Sequence, residues 1–87
     1  MTTTDGSERC GKFFIGARMI RKYPDLVKKI MGECIIVKAE MSYIRHGIEY
    51  EAISDWFDFV PQGEYAPEYT ITIHQQGNNL KWMFEKG

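Results

Sequence analysis

The sequence predicts an α+β domain: an N-terminal amphipathic helix, open to a break at Pro24, packed on a four-stranded antiparallel sheet of two hairpins. Apolar residues recur at helical spacing in the first third and alternate with polar residues at a period of two afterwards. The length of 87 residues, 44% of them hydrophobic, is enough for one core. We therefore expect a mobile polar tail over residues 1–11 and a single domain over residues 12–87.

The predicted helix begins near residue 12, because apolar residues from Phe13 to Ile20 recur at helical spacing. A proline ring clashes with the preceding helical turn, so Pro24 fits best as the first residue of a second helix. The pattern therefore predicts helices over about 12–22 and 24–31.

The first predicted hairpin lies between residues 35 and 53, on either side of the turn at His46. A loop of even length gives the hairpin one wholly apolar face, whereas a loop of three residues mixes glutamates into that face. The pairs expected on the apolar face are Tyr43 with Ile48, Met41 with Tyr50, and Ala39 with Ala52.

The opposite face of this hairpin is acidic, with Glu40 expected across from Glu51 and Glu49 beside them. Like charges directly opposite each other destabilise a sheet. Either Lys38 and Arg45 relieve the repulsion on a solvated face, or the glutamates form an acidic patch for a basic partner. A metal site is not expected, because glutamates on a flat sheet lack the convergent cage that Ca²⁺ or Mg²⁺ needs.

The second predicted hairpin turns at Gly77-Asn78, two residues that tolerate a positive φ. This turn pairs Ile73 with Trp82 and Ile71 with Phe84. Pairs of aromatic and β-branched side chains across strands stabilise sheets.

The segment between the hairpins, residues 54–68, is called the aromatic loop here. It combines aromatic rings with carboxylates and two prolines, and its candidate contact residues are Trp56, Phe57, Asp58 and Tyr65. Tryptophan and tyrosine dominate protein-binding hot spots, although a domain this small also needs rings for its own core. Both roles are open from the sequence.

The charge is divided unevenly along the chain. Residues 1–32 carry seven Lys/Arg and three acids, whereas residues 33–87 carry four Lys/Arg and nine acids. The basic side chains could contact phosphates as a ridge on the helices, or they could form a solvated face. The ridge would consist of Arg18, Arg21, Lys22, Lys28 and Lys29. The opposite charges of the two regions also predict a homodimer.

No motif for catalysis, a cofactor or a metal is present, so we expect neither an enzyme nor a bound cofactor. His46 and His74 have no Cys, Ser or acid at a recognisable spacing, and Cys10 and Cys34 form no CxxC pair. No apolar run approaches the length of a membrane span. These features predict a cytoplasmic protein without a membrane partner.

In its size, its compact αβ pattern and its stretch SDWFDFVPQGEYAPEY, the chain resembles small phage-encoded accessory proteins, a class that includes anti-CRISPR and other anti-defence inhibitors. The resemblance implies inhibition by stoichiometric binding to a host protein. Our first functional hypothesis is a non-enzymatic protein-binding module, and the alternative is a nucleic-acid-associated regulator that uses the basic helix. The expected protein contacts are Trp56, Phe57, Asp58, Tyr65, Glu40, Glu49 and Glu51.

Overall fold

Antiparallel sheets and short helices form the α+β fold of residues 8–61 and 63–87, the part of the chain that the computed structural model describes. The elements, in chain order, are β1 (Glu8–Gly16), α1 (Ala17–Lys22), α2 (Pro24–Gly32), β2 (Ile35–Ser42), β3 (Gly47–Ile53), β4 (Phe59–Val60), β5 (Tyr69–Gln76) and β6 (Asn79–Lys86).

The first element is a strand, so the helix predicted from residue 12 is wrong over residues 12–16. Gly11, Phe13 and Ile15 are buried while Lys12 and Phe14 between them are half-buried, which is the alternation of a strand. β1 lies between β3 and β4 in the sheet, and this pairing outweighs the local helical pattern.

The expected tail of residues 1–11 includes the start of the first strand. Its last four residues, Glu8 to Gly11, begin β1, and residues 1–7 lie outside the described part.

The break at Pro24 is confirmed. Tyr23 has φ −131° and ψ 58°, outside the helical region, and Pro24 is the first residue of α2. The two helices differ in amphipathic character, because α2 buries Leu26 and Ile30 whereas α1 buries no residue. The fully buried part of the predicted amphipathic face therefore belongs to α2, and α1 packs the partly buried Met19 against the core.

The strands form a four-stranded sheet in the order β2-β3-β1-β4 and a separate β5-β6 hairpin. The prediction of one sheet built from two hairpins is therefore wrong, since β1 and β4 take the places expected for the second hairpin. The segment just before β5 joins that hairpin to the larger sheet, because the Lys12 N–H donates to the Pro67 carbonyl at 2.9 Å and Lys12 forms a bridge with Glu68.

The predicted register of the second hairpin is confirmed, with Ile73 opposite Trp82 and Ile71 opposite Phe84. Gly77 has φ 59° and is the first central residue of the turn, the position at which a type II′ turn needs glycine.

The first hairpin has the predicted parity but a register two residues away. Met41 lies opposite Ile48, Ala39 opposite Tyr50, and a β-bulge interrupts the ladder between Ile36 and Lys38. A shift of two residues preserves which side chains share a face. It does change the opposed charges, since Glu40 now faces Glu49 instead of Glu51.

Phe84 lies at the centre of an aromatic core. Its ring centroid is 4.9 Å from that of Phe57, 5.1 Å from Phe13 and 5.3 Å from Trp82. These distances are those of favourable tilted and edge-to-face pairs. The second hairpin is therefore held to the four-stranded sheet mainly through side chains.

Candidate protein-binding surface

The aromatic loop is anchored to the domain at Ser54, which is 7% exposed. Its hydroxyl donates to the Glu33 carbonyl at 2.8 Å, and its backbone N–H donates to the Arg9 carbonyl at 3.0 Å. Further along, the Asp58 N–H donates to the Tyr69 hydroxyl at 3.0 Å. These bonds fix the loop backbone at both sides of Phe57.

The structure separates the predicted contact residues of the loop into buried and exposed rings. Phe57 is 1% exposed and packs against Phe13, Tyr69 and Phe84, so its prediction as a contact residue is wrong. A ring with no accessible surface can contribute to the core but cannot meet a partner. Tyr65, by contrast, is 91% exposed.

Trp56 is intermediate between these extremes. It is 42% exposed, its ring centroid is 5.0 Å from that of Trp82, and its indole N–H donates to the Glu33 carboxylate at 3.3 Å. One part of the indole is thus fixed by the protein while the rest is open to solvent, a common arrangement for an interface tryptophan.

Phe59 is an exposed ring that the sequence-based set missed. It is 62% exposed, and the Arg9 guanidinium lies 4.4 Å from its ring centroid. Tyr65 has a similar neighbour, since the Lys12 ammonium is 5.6 Å from its ring. Both cations belong to β1, which the sequence had suggested was tail and helix. In the short β4, Phe59 is exposed and Val60 is buried, but two residues are too few to establish a period in the sequence.

Asp58 is exposed and forms an ion pair with Lys86, with Nζ–Oδ2 at 2.9 Å. The hydrogen bond from Lys86, and then its positive charge, lower the pKa of Asp58 from its usual range, and the same pair raises the pKa of Lys86. The carboxylate therefore stays ionised as a surface charge beside the exposed rings.

The three glutamates of the predicted acidic patch share one face, but basic groups accompany them. Glu40 lies opposite Glu49, whose carboxylate is 3.1 Å from Nη1 of Arg45. Glu51 lies between two lysines, with Lys38 opposite it on β2 and Lys12 opposite it on β1. The same side chains, with Phe14 and Tyr50, line a shallow groove on this face. The charge of this groove is therefore mixed, because Lys38 and Arg45 lie beside the glutamates.

All five residues of the basic ridge are exposed, on α1 and α2. One acid, Asp25, lies within these two helices. The members are Arg18, Arg21, Lys22, Lys28 and Lys29.

The two cysteines are free and half-buried, and burial is the main cause that raises the pKa of each thiol. Within residues 8–61 and 63–87, no three His, Cys, Asp or Glu side chains come together as a group that could hold a metal ion. None of the helices described is long and apolar enough to cross a membrane.

No protein-family model, no curated protein and no solved structure matches this chain.

Proposed function

We propose that the chain is a non-enzymatic protein-binding module that contacts its partner through the aromatic loop. The observation that carries this proposal is the exposure of Tyr65 and Phe59, at 91% and 62%, on a loop that is paired with β1 at Phe59 and hydrogen-bonded to it at Pro67. An anchored loop loses less conformational entropy on binding, so its exposed rings give more net affinity.

The contact surface that we propose consists of Trp56, Asp58, Phe59 and Tyr65. The rings supply the large apolar area that is typical of hot spots, and Asp58 supplies a charge at the rim. The three glutamates at 40, 49 and 51 remain candidates for a second contact region, weakened by their basic neighbours.

Occlusion of a host defence protein is the form of this activity that the resemblance to phage accessory proteins implies. A cytoplasmic site of action belongs to the same proposal, because both cysteines are free thiols and reducing compartments keep thiols in that state.

The experiment compares Tyr65→Ala with Met83→Ala in affinity capture from a bacterial lysate, read by mass spectrometry. Met83 is a large apolar residue that is 41% exposed on β6, and it lies on the face of that strand opposite to Trp82 and Phe84, which contact Trp56, so its loss should leave capture unchanged. Truncation of a hot-spot residue typically costs about 2 kcal/mol or more, roughly a thirtyfold loss of affinity.

Melting temperatures are measured on the same variants. Tyr65→Ala should leave the melting temperature within a few degrees of the parent, because the side chain is almost wholly exposed. If Tyr65→Ala and Trp56→Ala both retain the partners that Met83→Ala captures, the aromatic loop is not the contact surface.

A second candidate function is nucleic-acid binding by the basic ridge, favoured by the exposure of all five basic side chains. A gel shift at two salt concentrations tests it, because phosphate contacts release counterions and weaken steeply with salt. Salt-sensitive binding that is lost in the double variant Arg21→Glu/Lys22→Glu would support this function in place of protein binding.

A further inference from the structure

β2 is an edge strand with an unusually apolar surface. In the described part of the chain it pairs with β3 alone, and its eight residues include neither proline nor glycine. Ile35, Val37 and Met41 are 67%, 54% and 56% exposed. Natural proteins usually protect an edge of this kind, because its free N–H and C=O groups and apolar side chains invite another strand.

The sequence of β2 is complementary to itself when it is read in antiparallel order. A two-fold axis between two copies of Ala39 places Lys38 opposite Glu40 of the second copy, and Val37 opposite Met41 of the second copy. The bulge lies just before Lys38, so the regular part of this pairing runs from Val37 to Met41. Each charge thus meets an opposite charge, and each apolar side chain meets an apolar one.

The neighbouring two-fold registers are unfavourable. A two-fold axis in an antiparallel pair places one residue opposite its own copy. Each possible register is therefore defined by the residue that lies on the axis. An axis at Lys38 opposes two lysines, and an axis at Glu40 opposes two glutamates. The axis at Ala39 is the one that pairs Lys38 with Glu40.

Both charges are available for this contact. Glu40 lies opposite Glu49, whose carboxylate is bonded to Arg45, and among the described residues neither Glu40 nor Lys38 forms an ion pair. A second copy would therefore give Glu40 a cation in place of the repulsion that it meets inside its own sheet.

We propose that the chain forms a two-fold dimer through antiparallel pairing of β2 with β2 of a second copy, centred on Ala39. The four-stranded sheets of the two copies then join as one continuous sheet of eight strands. This interface is separate from the aromatic loop, so it stands or fails independently of the function proposed above.

Reversing the charges of Lys38 and Glu40 tests the proposed pairing. Light scattering over a concentration series should give twice the monomer mass of 10.2 kDa for the parent chain. Lys38→Glu and Glu40→Lys should each raise the dissociation constant about tenfold or more, because either change opposes like charges twice across the axis. The double variant Lys38→Glu/Glu40→Lys restores the attraction and should dimerise like the parent.

An equimolar mixture of the two single variants provides a sharper test. One copy then presents two carboxylates and the other two ammonium groups, so the mixture should form a heterodimer more tightly than either variant dimerises alone. Lys81→Glu on β6 is the matched control, because it makes the same charge change on another exposed strand and should leave the dimer unchanged.

The position of the axis is tested by Ala39→Cys in a chain whose Cys10 and Cys34 are replaced by serine. Directly opposed residues have Cα atoms about 4.5–5.5 Å apart, which suits a disulfide. Mild oxidation should crosslink this variant far faster than Lys81→Cys in the same background.

Two results would overturn the proposal. One is a parent chain that remains monomeric up to millimolar concentration. The other is a dimer that neither single charge change weakens and that Ala39→Cys does not crosslink.

Discussion

The two hairpins of this domain are held in place in different ways. The β5-β6 hairpin has a two-residue turn at Gly77 and buries Phe84 among five other aromatic rings, so its own side chains fix its register. The β2-β3 hairpin has the turn residues 43–46, and its outer strand is mostly exposed. Its inner strand, β3, is fixed from the other side by β1.

A hairpin can therefore be held in register by a neighbouring strand as well as by its own turn. Gly47 shows this directly, because a Cβ at this position would lie 2.5 Å from the Ile15 carbonyl oxygen of β1. Gly77 has open space around it and is constrained by its positive φ alone.

The largest expected effect is that of Phe84→Ala on β6, which should lower the free energy of unfolding by about 3–5 kcal/mol, since a large cavity opens in the aromatic core. Met41→Ala on the exposed β2 should cost less than about 1 kcal/mol, measured on the monomer. Urea unfolding followed by tryptophan fluorescence gives both values. Equal losses would mean that β2 is covered in solution.

The next effect separates the two glycines. Gly47→Ala should cost about 3 kcal/mol, at the upper end of overpacking, because backbone atoms of β1 cannot move aside easily. Gly77→Ala should cost about 1–2 kcal/mol, which is the penalty of a left-handed conformation. Thermal unfolding of the two variants ranks them. The reverse order would show that β1 constrains the first hairpin at Gly47 less strongly than the positive φ of Gly77 constrains the second.

A smaller effect tests the register of the first hairpin. Glu40→Lys should stabilise the monomer by about 0.2–1 kcal/mol, because it replaces the Glu40–Glu49 opposition by an attraction. Glu51→Lys should destabilise it by a similar amount, since Glu51 lies between Lys12 and Lys38. Melts are recorded at a concentration at which the chain is monomeric. Stabilisation by Glu51→Lys would instead favour the register in which Glu51 faces Glu40.

The smallest effect concerns the Asp58–Lys86 pair, which ties the aromatic loop to β6. The pKa of Asp58 is lowered in the folded chain, so its contribution to stability is present above its usual pKa of about 3.9 and is lost as the pH falls through the lowered value. The raised pKa of Lys86 gives a contribution that is present below its usual pKa of about 10.4 and is lost as the pH rises through the raised value.

Asp58→Asn should therefore reduce stability slightly at neutral pH and leave it unchanged at strongly acidic pH. The difference between the urea midpoints of the two proteins, followed with pH, measures this effect, which should shrink at high salt because both groups are exposed. If the two proteins still differ in stability at strongly acidic pH, the difference has a cause other than the Asp58–Lys86 pair.

The sequence predicted the elements whose signals are local. The break at Pro24 follows from the ring of proline, and the β5-β6 register follows from Gly77 together with the alternation on both sides of it. The β2-β3 parity was predictable for the same reason. The offset of two residues was not, because every shift of two keeps the same side chains on the same face.

The predictions that failed concern residues whose positions are set by partners distant in sequence. The Phe13 and Ile15 pattern fits a helix as well as a strand, and the pairing with β3 and β4 decides between them. Phe57 and Trp56 are adjacent in sequence, yet one is in the core and the other is partly open. Only the path of the loop over Tyr69 determines which ring turns inward.

The position of β1 has a consequence for how the chain folds. Phe13 pairs with Tyr50 and Glu8 with Val60, so the first strand finds its partners only after most of the chain exists. Folds dominated by such distant pairings reach the native state slowly, because long segments must be ordered before their contacts form. During synthesis Phe13 and Ile15 therefore stay uncovered at least until their partners Tyr50 and Ile48 have left the ribosome, and Phe13 meets Phe84 of the core later still. Apolar side chains that are exposed in this way favour aggregation until their partners arrive.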